Sequence, residues 1–142
     1  MAKTELSIDF NTDYELVGII SSIKDFQLAF YLNKYFKIEL CRERDHKLDF
    51  RKGNSLEFPV FCHEDENSFI TVFGNKPFEK SRGQHSFLIK ERKEFDFLLK
   101  IEGYLNDLEI DQTVEKLKEI NTIQFVQLIE LENIDSKENL IY

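Results

Sequence analysis

The chain has 142 residues, 42% of them apolar and 32% charged, so it can bury one continuous core and is too apolar to be a disordered segment. A net charge of −8 excludes a polyanion-coating protein and a basic membrane-surface protein. Two cysteines are too few for a disulfide scaffold.

The first residues show no apolar secretory core, and the longest apolar runs, Leu16–Ile20 and Phe58–Cys62, reach about five residues where a membrane helix needs about 20. The expected setting is therefore cytoplasmic, without membrane, and with Cys41 and Cys62 as free thiols that do not bridge. Glu5–Phe10 alternates Leu6, Ile8 and Phe10 with polar residues, the period of a half-buried strand. Thr12 and Glu15 then have capping-box spacing, with Leu16, Ile19, Ile20 and Ile23 following at helical intervals. The β-branched content of Val17–Ile20 leaves a buried strand as the alternative for 13–21. Ser22 and Asp25 have the same capping-box spacing ahead of an apolar stripe of Leu28, Leu32, Tyr35 and Phe36, which predicts a helix to residue 36.

The middle predicts short strands at Ile38–Arg42, Leu48–Phe50, Leu56–Phe61, Phe69–Phe73 and Phe87–Lys90. Turn clusters at Arg51–Asn54, Glu64–Asn67 and Gly74–Pro77 separate them. Pro59 places its strand at an edge or makes it irregular, and an edge there leaves homodimerisation open. Phe95–Glu102 sets Phe95, Phe97, Leu99 and Ile101 on one face, with Leu98 interrupting the polar one. A helix over 111–120, with Val114, Leu117 and Ile120 inward, leads to a last strand at Phe125–Leu131. The sum is a single α+β domain over 1–142. Its sheet is mixed and mostly antiparallel, with helices at about 13–36 and 111–120 packed mainly on one face.

Charge is segregated along this chain. The twelve acids and four bases of residues 94–142 account for all of the net charge, whereas residues 1–93 balance fifteen of each. Histidines and cysteines lack paired metal-ligand spacings, so no metal is expected, and with no P-loop or dinucleotide fingerprint no other cofactor is expected either. His63, Glu64, Asp65 and Glu66 read as an acidic turn rather than a cation loop. Lys80, Arg82 and His85 around Gly83 are the candidate anion contact, since a glycine turn beside cations can present backbone N–H groups. Phe78 to Arg92 interleaves aromatics with cations, but the acidic chain disfavours nucleic acid. The closing Leu140, Ile141 and Tyr142 form an apolar tip, expected to dock on its own domain or on a partner.

Residues 89–97 read Ile-Lys-Glu-Arg-Lys-Glu-Phe-Asp-Phe. This resembles the signature of the IPExxxVDY family of small bacterial proteins. Ile89, Glu91 and Asp96 match it, while Lys90, Phe95 and Phe97 stand where it has Pro, Val and Tyr. The segment Lys24-Asp25-Phe26-x-Leu28, Asn75-Lys76 and the closing Ser136–Tyr142 extend the likeness over nearly the whole chain. The resemblance implies a bacterial cytoplasmic setting and brings no activity, substrate or cofactor. Without the proline, Ile89, Glu91, Phe95, Asp96 and Phe97 read as structural. Apolar members anchor a strand, and the carboxylates accept backbone N–H groups. The resulting expectation is a non-catalytic domain, a binding or adaptor module whose partner is another protein, with no catalytic residues. The alternatives are a small anion-binding protein or enzyme with an Arg/Lys pocket, and an RNA-associated factor.

Overall fold

The computed structural model describes residues 14–49, 55–77 and 87–142. The expected strand at Glu5–Phe10 and the turn at Arg51–Asn54 lie outside the described residues. The elements are β1 (Glu15–Ile20), α1 (Asp25–Phe36), β2 (Cys41–Arg42), β3 (His46–Asp49), β4 (Ser55–Phe58), β5 (Val60–Glu64), β6 (Ser68–Gly74), β7 (Phe97–Gly103), α2 (Ile110–Lys118) and β8 (Phe125–Ile129).

Six strands form one sheet in the order β2-β5-β6-β7-β1-β8, and β3 pairs with β4 in a separate two-stranded sheet. Every pairing among the described strands is antiparallel. β7 and β8 therefore run the same way, but β1 lies between them and pairs with both. The unit from β7 through α2 to β8 thus straddles a strand supplied by the start of the described chain.

This placement corrects the expected helix at 13–21. β1 is an inner strand covered on both sides, so apolar residues follow one another without polar alternation. Val17 and Ile19 point to the layer carrying α1 and α2, while Leu16 points to the opposite layer. Both helices bury their inner residues in the same cluster, with Leu28, Leu32 and Phe36 from α1 and Leu117 from α2. The helices thus pack on one face. The other face is covered by the β3–β4 hairpin through Leu56 and Phe58, by Leu88, Ile89 and Phe95, and by Ile134 and Leu140.

Other boundaries shift for local reasons. The run expected as one strand at Leu56–Phe61 breaks at Pro59, where the missing N–H lets the chain leave one sheet for the other. The Pro59 carbonyl still accepts the Gly74 N–H at 3.0 Å. Phe87–Lys90 is not a strand, but leads into a single 3₁₀ turn at Lys90–Arg92. The cap of α1 is Lys24 rather than the expected Ser22, so the helix begins at Asp25 and not at residue 23, and the Gln27 side chain accepts the Lys24 N–H at 2.9 Å. In β7, Phe97, Leu99 and Ile101 face the helices, whereas Leu98 is buried in the opposite layer, as is Phe95 ahead of the strand. Phe95 therefore leaves the expected register.

Candidate functional site

The segment bearing the resemblance is folded around one fully buried side chain, Asn75, placed where β6 ends. Its amide nitrogen donates to the carbonyls of Arg92 and Phe95, each at 3.0 Å. Its side-chain oxygen accepts the Ile89 N–H at 2.8 Å. Its backbone adds two more bonds, donating to the Asp96 carbonyl and accepting from the Leu88 N–H, both at 2.9 Å. The segment pairs only some of its own backbone groups, within its 3₁₀ turn, and Asn75 supplies both donor and acceptor to others.

The five motif residues are pinned separately. Ile89 is buried in the layer opposite the helices, and Phe97 lies among the helix-side residues. Glu91 accepts the Ser136 hydroxyl at 2.8 Å and the Asp135 N–H at 3.2 Å, tying the motif to the start of the C-terminal tail. Asp96 accepts the Ser21 N–H at 2.9 Å through one oxygen and the Lys76 ammonium at 2.9 Å through the other. Phe95 lies flat on Gly18, with the Arg92 guanidinium 4.8 Å from its ring centre and Phe125 stacked at 6.4 Å. These residues tie β1, the segment after β6 and the tail together rather than converging on one exposed point.

The tail occupies the same layer. Leu140 is fully buried, and its carbonyl accepts the Lys100 ammonium at 3.0 Å. His46 Nε2 donates to the Asn139 carbonyl at 2.7 Å, and the Asn139 amide donates to the Leu88 carbonyl at 2.9 Å. The Tyr142 hydroxyl bonds the Arg44 carbonyl. Burial pushes the His46 imidazole below its ordinary value, and the Lys100 charge works in the same direction. Burial likewise lowers Lys100, whose ammonium sits 4.8 Å from the Tyr14 ring centre. Ile141 and Tyr142 remain half-exposed. The apolar tip is thus docked on its own domain by one buried side chain and a set of bonds to backbone carbonyls. Deleting residues 136–142 is expected to remove about 2–4 kcal/mol of stability, from the exposed Leu140 site and the orphaned Lys100 and His46 donors. A melting temperature unchanged in a thermal scan would contradict this.

The candidate anion contact at Lys80, Arg82 and His85 lies outside the described residues. Among the described residues no three His, Cys, Asp or Glu side chains are grouped as metal ligands. The acidic turn has an internal use instead. Asp65 accepts His63 Nε2–H at 2.9 Å and the N–H groups of Asn67 and Ser68 at 2.8 and 2.9 Å. Those bonds, with His63 foremost, hold the Asp65 carboxyl down at about 2. It closes the turn between β5 and β6. No described helix is long and apolar enough to cross a membrane.

One surface escaped the sequence reading. Phe26 and Phe30 stand one turn apart on the outer side of α1 and are 59% and 62% exposed. Lys34 and Lys37 continue the exposed stripe toward the end of the helix. Phe30 meets Tyr31 edge to face at 5.6 Å. The available signal was angular. Phe26 and Phe30 lie on the far side of the helix from the Leu28–Leu32 stripe, so their hydrophobicity cannot serve that core. A cleft of about 570 Å³, lined by Tyr14, Tyr104, Glu15 and Glu109 among others, opens beside the start of α2. Comparison of the chain with models of protein families and with curated proteins finds no match to either.

Proposed function

We propose that this chain is a non-catalytic protein-binding domain that engages its partner through the outer face of α1. The observation that carries this is the pair of exposed aromatics, Phe26 and Phe30, at helical spacing on a helix whose other side is packed into the core. Two large rings left in water on one turn are the kind of anchor that dominates binding energy at protein interfaces. Lys34 and Lys37 beyond them match a partner presenting apolar side chains followed by carboxylates. The bacterial cytoplasmic setting and the IPExxxVDY resemblance belong to the same proposal.

The test is affinity capture from native cytosol, with and without nuclease, using the wild-type chain and a Phe26→Ser/Phe30→Ser variant. Both positions are exposed, so the variant should melt within about 1 kcal/mol of wild type. A nuclease-resistant stoichiometric protein partner, bound at least a hundredfold more weakly by the purified variant, is expected from two anchors of about 2 kcal/mol each. Lys34→Glu should weaken the same complex. Equal binding by the variant, or loss of all captured material to nuclease, would overturn the reading.

A further inference from the structure

Cys41 and Cys62 are separated by twenty intervening residues in the sequence, yet they stand directly opposite one another on neighbouring antiparallel strands, β2 and β5. Opposed residues of such a pair point to the same face of the sheet. Their Cα atoms lie about 4.5 or 5.5 Å apart depending on the hydrogen-bonding type of the pair. Two residues along, the Glu43 N–H donates to the Val60 carbonyl at 3.0 Å. That bond and the alternation of the ladder make Cys41 and Cys62 a wider, hydrogen-bonded pair. A Cα separation of about 5.5 Å sits within the range that disulfides span, and bringing the Cβ atoms of a hydrogen-bonded pair from about 5.5 Å to disulfide distance asks for a shift of about 1 Å, which the two-residue edge strand β2 can supply. In the structure both are free thiols turned to other partners, and Cys41 Sγ rests 3.5 Å from the Glu39 carbonyl.

The two sites differ in access. Cys41 is exposed on a two-residue edge strand, whereas Cys62 is partly covered in the layer beneath the hairpin and the tail. We infer that Cys41 and Cys62 form a reversible intramolecular disulfide when the chain meets a hydroperoxide-class oxidant, with Cys41 the attacking thiol and Cys62 the resolving one. The Cys41 thiolate attacks a peroxide oxygen, the O–O bond breaks, and a sulfenic acid and hydroxide result. The Cys62 thiolate attacks that sulfenic sulfur, the S–S bond forms, and the S–O bond breaks with loss of a second hydroxide. With the two thiol protons, hydrogen peroxide is reduced to two waters, and an organic hydroperoxide, which loses an alkoxide in the first step, to an alcohol and one water. A dithiol reductant reverses the bond by exchange. Burial raises the Cys62 thiol, which fits the slower, second role.

The bond would tie the edge of the sheet across a loop that contains the whole β3–β4 hairpin. It would also fix the segment carrying Arg44, whose carbonyl holds the Tyr142 hydroxyl. The oxidised form therefore keeps hairpin and tail on the sheet.

The test treats the folded full chain with a few equivalents of hydrogen peroxide, blocks remaining thiols with N-ethylmaleimide, and measures intact mass without reductant. The expected product is a monomer lighter by about 2 Da that takes no maleimide and regains both thiols with dithiothreitol. Non-reducing peptide mapping should join the peptides of Cys41 and Cys62. Cys41→Ser, at an exposed site, should fold normally and give no mass loss. Two maleimides per chain after peroxide, oxygen adducts of about 16 or 32 Da in place of the loss, or an intermolecular dimer as the main product would each overturn the inference.

Discussion

Replacing Asn75 by alanine is expected to cost about 2–6 kcal/mol in urea unfolding, because two buried backbone groups lose their partner at once. The Phe95 carbonyl loses its donor and the Ile89 N–H its acceptor, whereas the Arg92 carbonyl keeps the Phe95 N–H at 3.3 Å. Each orphaned buried group costs about 1–3 kcal/mol, and Asn75 is fully shielded from solvent. Asn75→Asp separates the contributions. It retains an acceptor for Ile89 but turns a carboxylate oxygen toward two carbonyl oxygens, so it should be at least as damaging as alanine. A loss below about 1 kcal/mol for either variant would mean that the motif segment holds its shape without this side chain.

The second large effect concerns Gly18. A Cβ built there lies 2.6 Å from the ring atoms of Phe95, so even alanine must push the ring away. Gly18→Ala is expected to cost about 1–3 kcal/mol, as overpacking of a filled core does. Phe95→Ala, which empties a fully buried aromatic site, should cost about 3–5 kcal/mol. The two changes should not add. With the ring gone, the methyl at position 18 meets space, and the double variant should be more stable than the sum of the singles predicts by about 1–3 kcal/mol. Additive losses in guanidinium melts would show that Phe95 does not rest on Gly18. The contact also explains a glycine inside an inner strand, where the residue otherwise weakens the ladder.

The sequence by itself determined the elements whose burial is one-sided. α1 is covered on one side only, so Leu28, Leu32 and Phe36 repeat at helical spacing and stand out from their neighbours. α2 shows the same with Leu117, and the α+β class follows from these helices and the intervening short strands. β1 was ambiguous for the opposite reason. An inner strand between two layers is apolar at every step, and five such residues carry no period that separates strand from helix. Only strand pairing with β7 and β8 decides it.

Tertiary structure also decided everything that depends on distant residues meeting. Asn75 reads as an ordinary turn residue, because its partners lie 14 to 20 residues away on a segment outside any strand or α-helix. Gly18 reads as a flaw in an apolar run until Phe95 arrives above it. Cys41 and Cys62 share no spacing motif, since their opposition is set by the register of β2 on β5. The tail's apolar tip is visible in the sequence. That it lies on the sheet depends on Lys100 and His46, two polar side chains whose value is to meet carbonyls that the chain brings from its far end.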